Sequence, residues 1–233
     1  MSVLQAEQLS KQYNGVKALD NLNLSIAKHE IFCLLGQNGA GKTTAINLFL
    51  GFIEATSGSV SINGIEVKPN NSAARKFIAY IPEVVMLYGN LSGIENLEFF
   101  NRLAGAKYSN DLLSGFLSQV GLPKETHHNR VNTYSKGMRQ KVAIAIALAK
   151  DADTLLMDEP TSGLDPKATQ EFTTLLKEVA ARGKTVLMAT HDIFNAVNIG
   201  TAIGIMKKGS LVHTVATKDI TANELQQLYL ETI

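Results

Sequence analysis

Eight residues, Gly36-Gln37-Asn38-Gly39-Ala40-Gly41-Lys42-Thr43, fit the pattern G-x-x-x-x-G-K-[ST] in full. The glycines let the backbone fold tightly, so that its N–H groups converge on phosphate oxygens. The run "IFCLLG" (31–36) before the loop is continuously apolar, as a fully buried strand is, and "AINLFLGFI" after it reads as a helix. A loop that opens a helix places an anion at the positive end of the helix dipole. In such a cradle Lys42 reaches the β- and γ-phosphates and the Thr43 hydroxyl suits Mg²⁺. Alone, the pattern says only that a nucleoside triphosphate binds, since kinases, GTPases and motors share it. No N-K-x-D segment is present to read guanine, which disfavours GTP.

A second group stands at the end of "TLLMDEP", where four apolar or neutral residues give way to Asp158 and Glu159. Ligands of open α/β sheets sit at strand ends. There Asp158 could hold Mg²⁺, and a turn at Pro160 could aim Glu159 at an attacking water as general base. The plainer alternative is a turn cap. A third group is "YSKGMRQK" (134–141), a Ser and a Gly followed by basic residues at the mouth of a long apolar helix. Ser135 is at least an N-cap. His191 follows the apolar run "TVLMAT" and could hydrogen-bond a γ-phosphate.

These groups need a scaffold, and the pattern supplies one. "LNLSI" (22–26) alternates like a half-buried strand, and "GSVSINGIEV" (58–67) reads as a hairpin turning at Asn63–Gly64. From about 92 to 150 the signals are helical only, with Ser92 and Ser109 as N-caps and Gly105 and Gly121 as stops. After that, strands and helices alternate through "TLLMD", "PKATQEFTTLLKEVAARG", "TVLMAT", "DIFNAVNIG", "AIGIMKKG", "SLVHTV" and "ANELQQLYLE". Alternation argues for a parallel α/β core, and the helical middle for an inserted lobe.

Taken together, the motifs resemble the ATP-binding subunit of an ABC transporter over essentially the whole chain. "GQNGAGKT" resembles the family's Walker A loop and "TLLMDE" its Walker B strand. "YSKGMRQ" resembles the signature more often seen as L-S-G-G-Q, "SGLD" (162–165) the D-loop, and "ATHD" the switch-histidine segment. Each is weak alone; their shared order and spacing are specific. The resemblance implies the P-loop NTPase ABC-ATPase fold, a RecA-like core with an antiparallel β subdomain (1–88 and 151–233) and an inserted helical subdomain (89–150).

It also implies roles. ATP and Mg²⁺ are the expected ligands. Tyr13 stacks on adenine beside Val16, and Gly36, Asn38, Gly39, Ala40, Gly41, Lys42, Thr43 and Thr44 cradle the phosphates. Thr43, Asp158 and Glu83 hold the metal, and Glu159, His191, Lys42 and Glu83 serve catalysis. Two copies pair head to tail, so that Ser135, Lys136, Gly137 and Met138 of one chain face the ATP of the other, with Asp165 crossing the axis. The permease is expected in a groove near Glu83 to Tyr88, on the cytoplasmic face of the inner membrane.

The chain departs from the pattern at Glu83, where Gln is usual, at Lys136, where Gly is usual, and at Met138, where Gln is usual. These departures, and a chain ending near 233 without an added regulatory domain, resemble ATPases of bacterial ABC-2-type exporters rather than sugar importers. A soluble ABC ATPase acting on ribosomes or DNA, the ATPase of an ABC importer, and a nucleotide switch without turnover are the competing classes. Net charge of +1 points to no nucleic-acid partner. The N-terminal segment lacks a signal-peptide core, and "VAIAIALA" is too short to cross a bilayer, so membrane contact is expected only through the permease. The single cysteine, Cys33, reads as a buried strand residue. The His127–His128 pair has no third ligand at metal spacing and reads as loop, and His29 and His213 match no motif.

Overall fold

A computed structural model describes residues 2–69 and 72–233; Met1, at the head of the N-terminal segment read above, lies outside them. β1 (Ser2–Tyr13) and β2 (Val16–Ala27) form a hairpin, followed by β3 (Ile31–Leu35) and α1 (Lys42–Phe49). β4 (Ser57–Ile62), β5 (Ile65–Glu66) and β6 (Ile78–Ile81) come next. Then come α2 (Gly93–Leu103), α3 (Asn110–Gln119) and α4 (Lys136–Ala149). The chain continues as β7 (Thr154–Asp158), α5 (Pro166–Ala181), β8 (Thr185–Thr190) and α6 (Ile193–Ile199), and closes with β9 (Ala202–Lys207), β10 (Ser210–Ala216) and α7 (Ala222–Thr232).

The described strands form two sheets. The larger has the order β10-β9-β3-β8-β7-β6, parallel throughout except for β10. The smaller is antiparallel, β2-β1-β4-β5, and its β4–β5 turn uses Asn63 (φ 50) and Gly64 (φ 75), the left-handed pair that a type I′ hairpin requires.

β3 shows how the layers are specified. All five of its residues are buried. Because side chains alternate, Ile31, Cys33 and Leu35 enter one core while Phe32 and Leu34 enter the other. The Phe32 side carries α1 (Ala45, Ile46, Phe49) and the antiparallel sheet (Leu4, Leu22, Ile26, Ile62). The Cys33 side carries α5 (Phe172, Leu176), α6, α7 and the helical segment, with Leu97, Leu113, Leu117 and Val142 in one continuous cluster. A strand buried on both faces reads as an unbroken apolar run, which is why 31–35 has no polar alternation.

One expectation about an element needs correction. The helix after the loop ends at Phe49 rather than running through Ile53, because Gly51 (φ 65) takes the left-handed stop. The N-terminal segment, read only for a leader, is a twelve-residue strand that bridges β2 and β4.

Asn96 links the helical segment to the stretch after β6. It is fully buried; its Oδ1 accepts from the Tyr88 N–H (2.8 Å) and its Nδ2 donates to the Tyr88 (3.0 Å) and Ser92 (2.9 Å) carbonyls. Asn96→Leu strands these backbone groups, and is expected to cost about 2 kcal/mol. A thermal melt checks this, with a fall of roughly 4–8 °C for a chain of this size.

Candidate active site

The loop between β3 and α1 is shaped by contacts only glycine allows. A Cβ on Gly41 (φ 105) would lie 2.5 Å from the Ala18 carbonyl and 2.8 Å from Leu19. One on Gly36 would lie 2.8 Å from the Met206 carbonyl. The loop is thus clamped between the two sheets. α1 starts at Gly41 with no side-chain cap and no acidic residue in its first turn, so its N–H groups and dipole face outward unneutralised. By contrast, α4 is capped by Ser135, whose hydroxyl accepts from the Met138 N–H at 3.2 Å.

These N–H groups open on a cavity of about 430 Å³ lined by Tyr13, Ala18, residues 37–39 and 41–44, Glu83, Asp158 and Glu159. The buried Lys42 ammonium donates to the Gly36 carbonyl (2.6 Å) and the Gln37 carbonyl (3.3 Å), which holds it over the cavity. Glu159 follows β7 in a left-handed conformation (φ 45), fixed by its N–H donating to the Ala189 carbonyl at 2.9 Å. That twist turns its carboxylate back toward the loop. One oxygen is 3.6 Å from Lys42 Nζ and the other 2.9 Å from Nδ1 of the exposed His191. The first of these oxygens, Glu159 Oε1, is buried with no hydrogen-bond partner.

Asp158 is buried at the end of β7 and accepts a hydrogen bond from the Thr43 hydroxyl. Burial raises its pKa above the usual carboxylate range, with Glu159 and Glu83 adding repulsion against the lowering effects of Thr43 and Lys42. The oxygen donors gathered here (the Thr43 hydroxyl and the Asp158 and Glu83 carboxylates) are hard ligands suited to Mg²⁺. Among the described residues no group of three or more His, Cys, Asp or Glu could hold a metal ion by itself.

The sequence from β2 through the end of the acidic strand decides the family: the model described as ABC transporter matches residues 19–162. The chain belongs to the ABC transporter family. The bacitracin transport ATP-binding protein BcrA of Enterococcus faecalis is 34% identical over 219 residues, covering 94% of this chain and 70% of that protein. The "Probable multidrug ABC transporter ATP-binding protein YbhF" of Escherichia coli strain K12 is 32% identical over 95% of this chain, which spans only 38% of that relative's length. Among solved structures, cbiO1 from Clostridium perfringens, part of the ABC transporter complex cbiONQ, superimposes with a TM-score of 0.85 at 26% identity, covering 98% of this chain and 95% of that one. An ATP-binding cassette solved as a dimer in a post-hydrolysis state with ADP and Pi gives a TM-score of 0.81 at 28% identity, over 92% and 98% of the two chains. The fold is that of an ABC ATPase cassette, and the chain is an ATP-binding domain of that kind.

In this ABC cassette the remaining motif residues stand apart from the cavity. Ser135, Lys136, Gly137 and Met138 form the first turn of α4 and do not line it. Asp165 caps α5, accepting from the Ala168 N–H at 2.8 Å. Val16 is 69% exposed and does not line the cavity, because Tyr13 and Ala18 occupy that edge. Tyr13 does line it, 44% exposed, with Lys11 Nζ 5.0 Å from its ring centre. Sequence reasoning missed Ala18, whose only signal is the tight approach at Gly41, and Ser162, whose hydroxyl donates to Glu83 at 2.9 Å. His127, read as loop, is buried, with Nδ1 3.0 Å from the Ser114 hydroxyl and Nε2 3.0 Å from the Leu122 carbonyl.

The raised pKa of Asp158 has a consequence for stability. Folding holds the Asp158 proton to higher pH than the unfolded chain does, so this group's contribution improves as pH falls toward its raised pKa and is unfavourable above it. Asp158→Asn removes the charge and keeps an acceptor for Thr43. At neutral pH the nucleotide-free variant is expected to melt a few degrees above the parent while losing ATPase activity, and paired melts and phosphate-release assays check both.

Proposed function

We propose that the chain binds Mg·ATP in this cavity, pairs head to tail with a second copy, and hydrolyses ATP to drive a membrane permease of the ABC-2 exporter class. The observation that carries the reading is Glu159, its carboxylate set between Lys42 and His191 at the mouth of an uncapped helix N-terminus. Tyr13 offers a face to adenine, the loop N–H groups and Lys42 take the phosphates, and Thr43, Asp158 and Glu83 would hold Mg²⁺. The metal would supply charge neutralisation at the phosphates. Glu159, whose Oε1 has no other hydrogen-bond partner, accepts the proton of the attacking water, and His191 orients it and faces the γ-phosphate.

Dimerisation is supported by Gly137. A Cβ there would meet Ala168 at 3.5 Å and Leu164 at 3.8 Å, ordinary contacts, so among the described residues no contact demands a glycine. The missing Cβ leaves the backbone open to close approach, and the phosphate of an ATP bound to the other copy would use that space. Ser135 and the positive end of α4 would face the same phosphate.

For the partner, Val84 (62%), Met86 (79%) and Tyr88 (49%) are exposed, and the Tyr88 ring lies 6.2 Å from that of Phe100, which with Phe52, Tyr80 and Ile146 walls a groove of about 790 Å³. An apolar patch of this kind suits a permease helix. Among the described residues no helix is long and apolar enough to cross a membrane, so attachment to the cytoplasmic face is assigned to that contact. The names of relatives, bacitracin transport, multidrug and linearmycin resistance, support the export class. Tagging a Glu159→Gln chain and extracting it gently from native membranes with and without ATP tests the reading. Co-purification of a polytopic membrane protein supports it; recovery with ribosomes or nucleic acid alone overturns it.

Glu83 ionised cannot donate a hydrogen bond and adds negative charge beside Asp158. Glu83→Gln is expected to keep ATP binding and to change turnover severalfold, together with its Mg²⁺ dependence. Unchanged steady-state rates across a Mg²⁺ titration would remove Glu83 from the site.

A further inference from the structure

Ser162 makes bonds toward three functional segments. Its hydroxyl donates to Glu83 Oε1 at 2.9 Å, and its N–H donates to the Glu159 carbonyl at 3.1 Å. Its own carbonyl accepts from Lys136 Nζ at 2.5 Å. The last contact depends on the Lys136 side chain, since a glycine at 136 has none to reach across. One helical turn further on, the fully buried Gln140 donates from Nε2 to the Pro160 carbonyl. Lys136 and Gln140 are spaced i and i+4 on one face of α4, so they grip alternate carbonyls of the 160–162 loop. Asn195 Nδ2 fixes the residue between them, donating to Thr161 Oγ1 at 3.0 Å. The loop therefore cannot shift without moving either the first turn of α4 or Glu83.

We propose that Lys136 and Ser162 form a brace that couples the two ATP sites of the dimer. The inference rests on the head-to-tail reading above. In that arrangement the α4 turn of a chain contacts the nucleotide of the other copy, while Glu83 sits in the chain's own cavity with Thr43 and Asp158. The brace joins these two places within one chain. Nucleotide engaged by the α4 turn pulls on Lys136, Ser162 follows through its carbonyl, and the hydroxyl positions Glu83 for the metal of the chain's own site. Lys136 and Ser162 are positioning residues here: Lys136 lines no part of the cavity whose metal affinity it sets. Coupling of this kind is reciprocal between the sites.

The test reads metal dependence of dimerisation, with hydrolysis blocked. In a Glu159→Gln background, ATP-driven dimerisation is followed by sedimentation velocity across a Mn²⁺ titration. Lys136→Met is expected to raise the half-saturating Mn²⁺ concentration by about fivefold or more, the lower end of usual coupling. Ser162→Ala should do the same, the double variant no more than either single, and Lys136→Arg should restore most of the effect through a retained donor. A Lys136→Met dimer that is weaker at every metal concentration with an unchanged midpoint would mean that Lys136 acts only on the facing nucleotide, and would overturn the brace. Additive effects in the double variant would also overturn it. A background chain that fails to dimerise with ATP at any metal concentration overturns the head-to-tail reading itself, and the brace with it.

Discussion

Glu159→Gln is expected to lower the ATP hydrolysis rate by about 10²–10⁴-fold, the usual range for removal of a general base. The substitution is nearly isosteric, so the left-handed turn and the bond from the Glu159 N–H to the Ala189 carbonyl persist. What changes is the charge. The carboxylate now beside Lys42 at 3.6 Å and His191 at 2.9 Å becomes an amide that cannot take a proton. Binding of Mg·ATP should survive and tighten slightly, because a negative charge facing the γ-phosphate is gone. The dimer should then accumulate with unhydrolysed ATP, visible as a slow-dissociating species on size exclusion. Single-turnover phosphate release near the parental rate would show that Glu159 is not the base.

Lys42→Ala is expected to have the next largest effect, on binding. Lys42 is only 6% exposed and its ammonium is held by two loop carbonyls, so it is already in place before a ligand arrives. Truncating one partner of a desolvated charge pair costs about 2–5 kcal/mol, so affinity for ATP should fall by roughly 30-fold to several thousandfold. The Gly36 and Gln37 carbonyls lose their donor as well, and the loop should loosen. Equilibrium binding of a fluorescent ATP analogue measures the loss, and a melt run in parallel separates it from unfolding. Retained affinity would place the phosphates elsewhere in the cavity.

The cradle was legible in the sequence because its chemistry is local. The glycines, Lys42 and Thr43 are consecutive, and the buried strand before them shows as an unbroken apolar run. β7 and β8 were readable for the same reason, and so were the caps Ser92 and Ser109, whose hydroxyls accept N–H bonds at 3.3 and 3.4 Å. β1 was obscure because it pairs on both sides with register shifts that break its alternation, and Gln8 sits at a positive φ of 47. β6 has only four residues and carries no periodicity long enough to detect.

The parts of the site that escaped are those made by long-range contact. Ser162 and Glu83 are 79 positions apart, and Lys136 is 26 from Ser162; no spacing rule links them. Ala18 contributes its backbone to the cavity wall, and backbone contributions leave no residue-type signal. Val16 was placed with Tyr13 by the family's pattern and does pair with it across the Asn14–Gly15 turn, but it is more exposed and does not line the cavity.

In the proposed dimer each ATP is enclosed by Walker A of one chain and the α4 turn of the other. Cys33 is the sole cysteine; it is buried and burial raises its thiol pKa, so introduced thiols report alone. The direct measurement mixes an Asn38→Cys chain with a Ser135→Cys chain and adds a short bifunctional thiol crosslinker, with and without Mg·ATP. A crosslinked heterodimer that needs both chains and ATP is expected. Crosslinks that form equally well in either chain alone, or a mixture that binds ATP and yields no Asn38→Cys to Ser135→Cys crosslink, would contradict it.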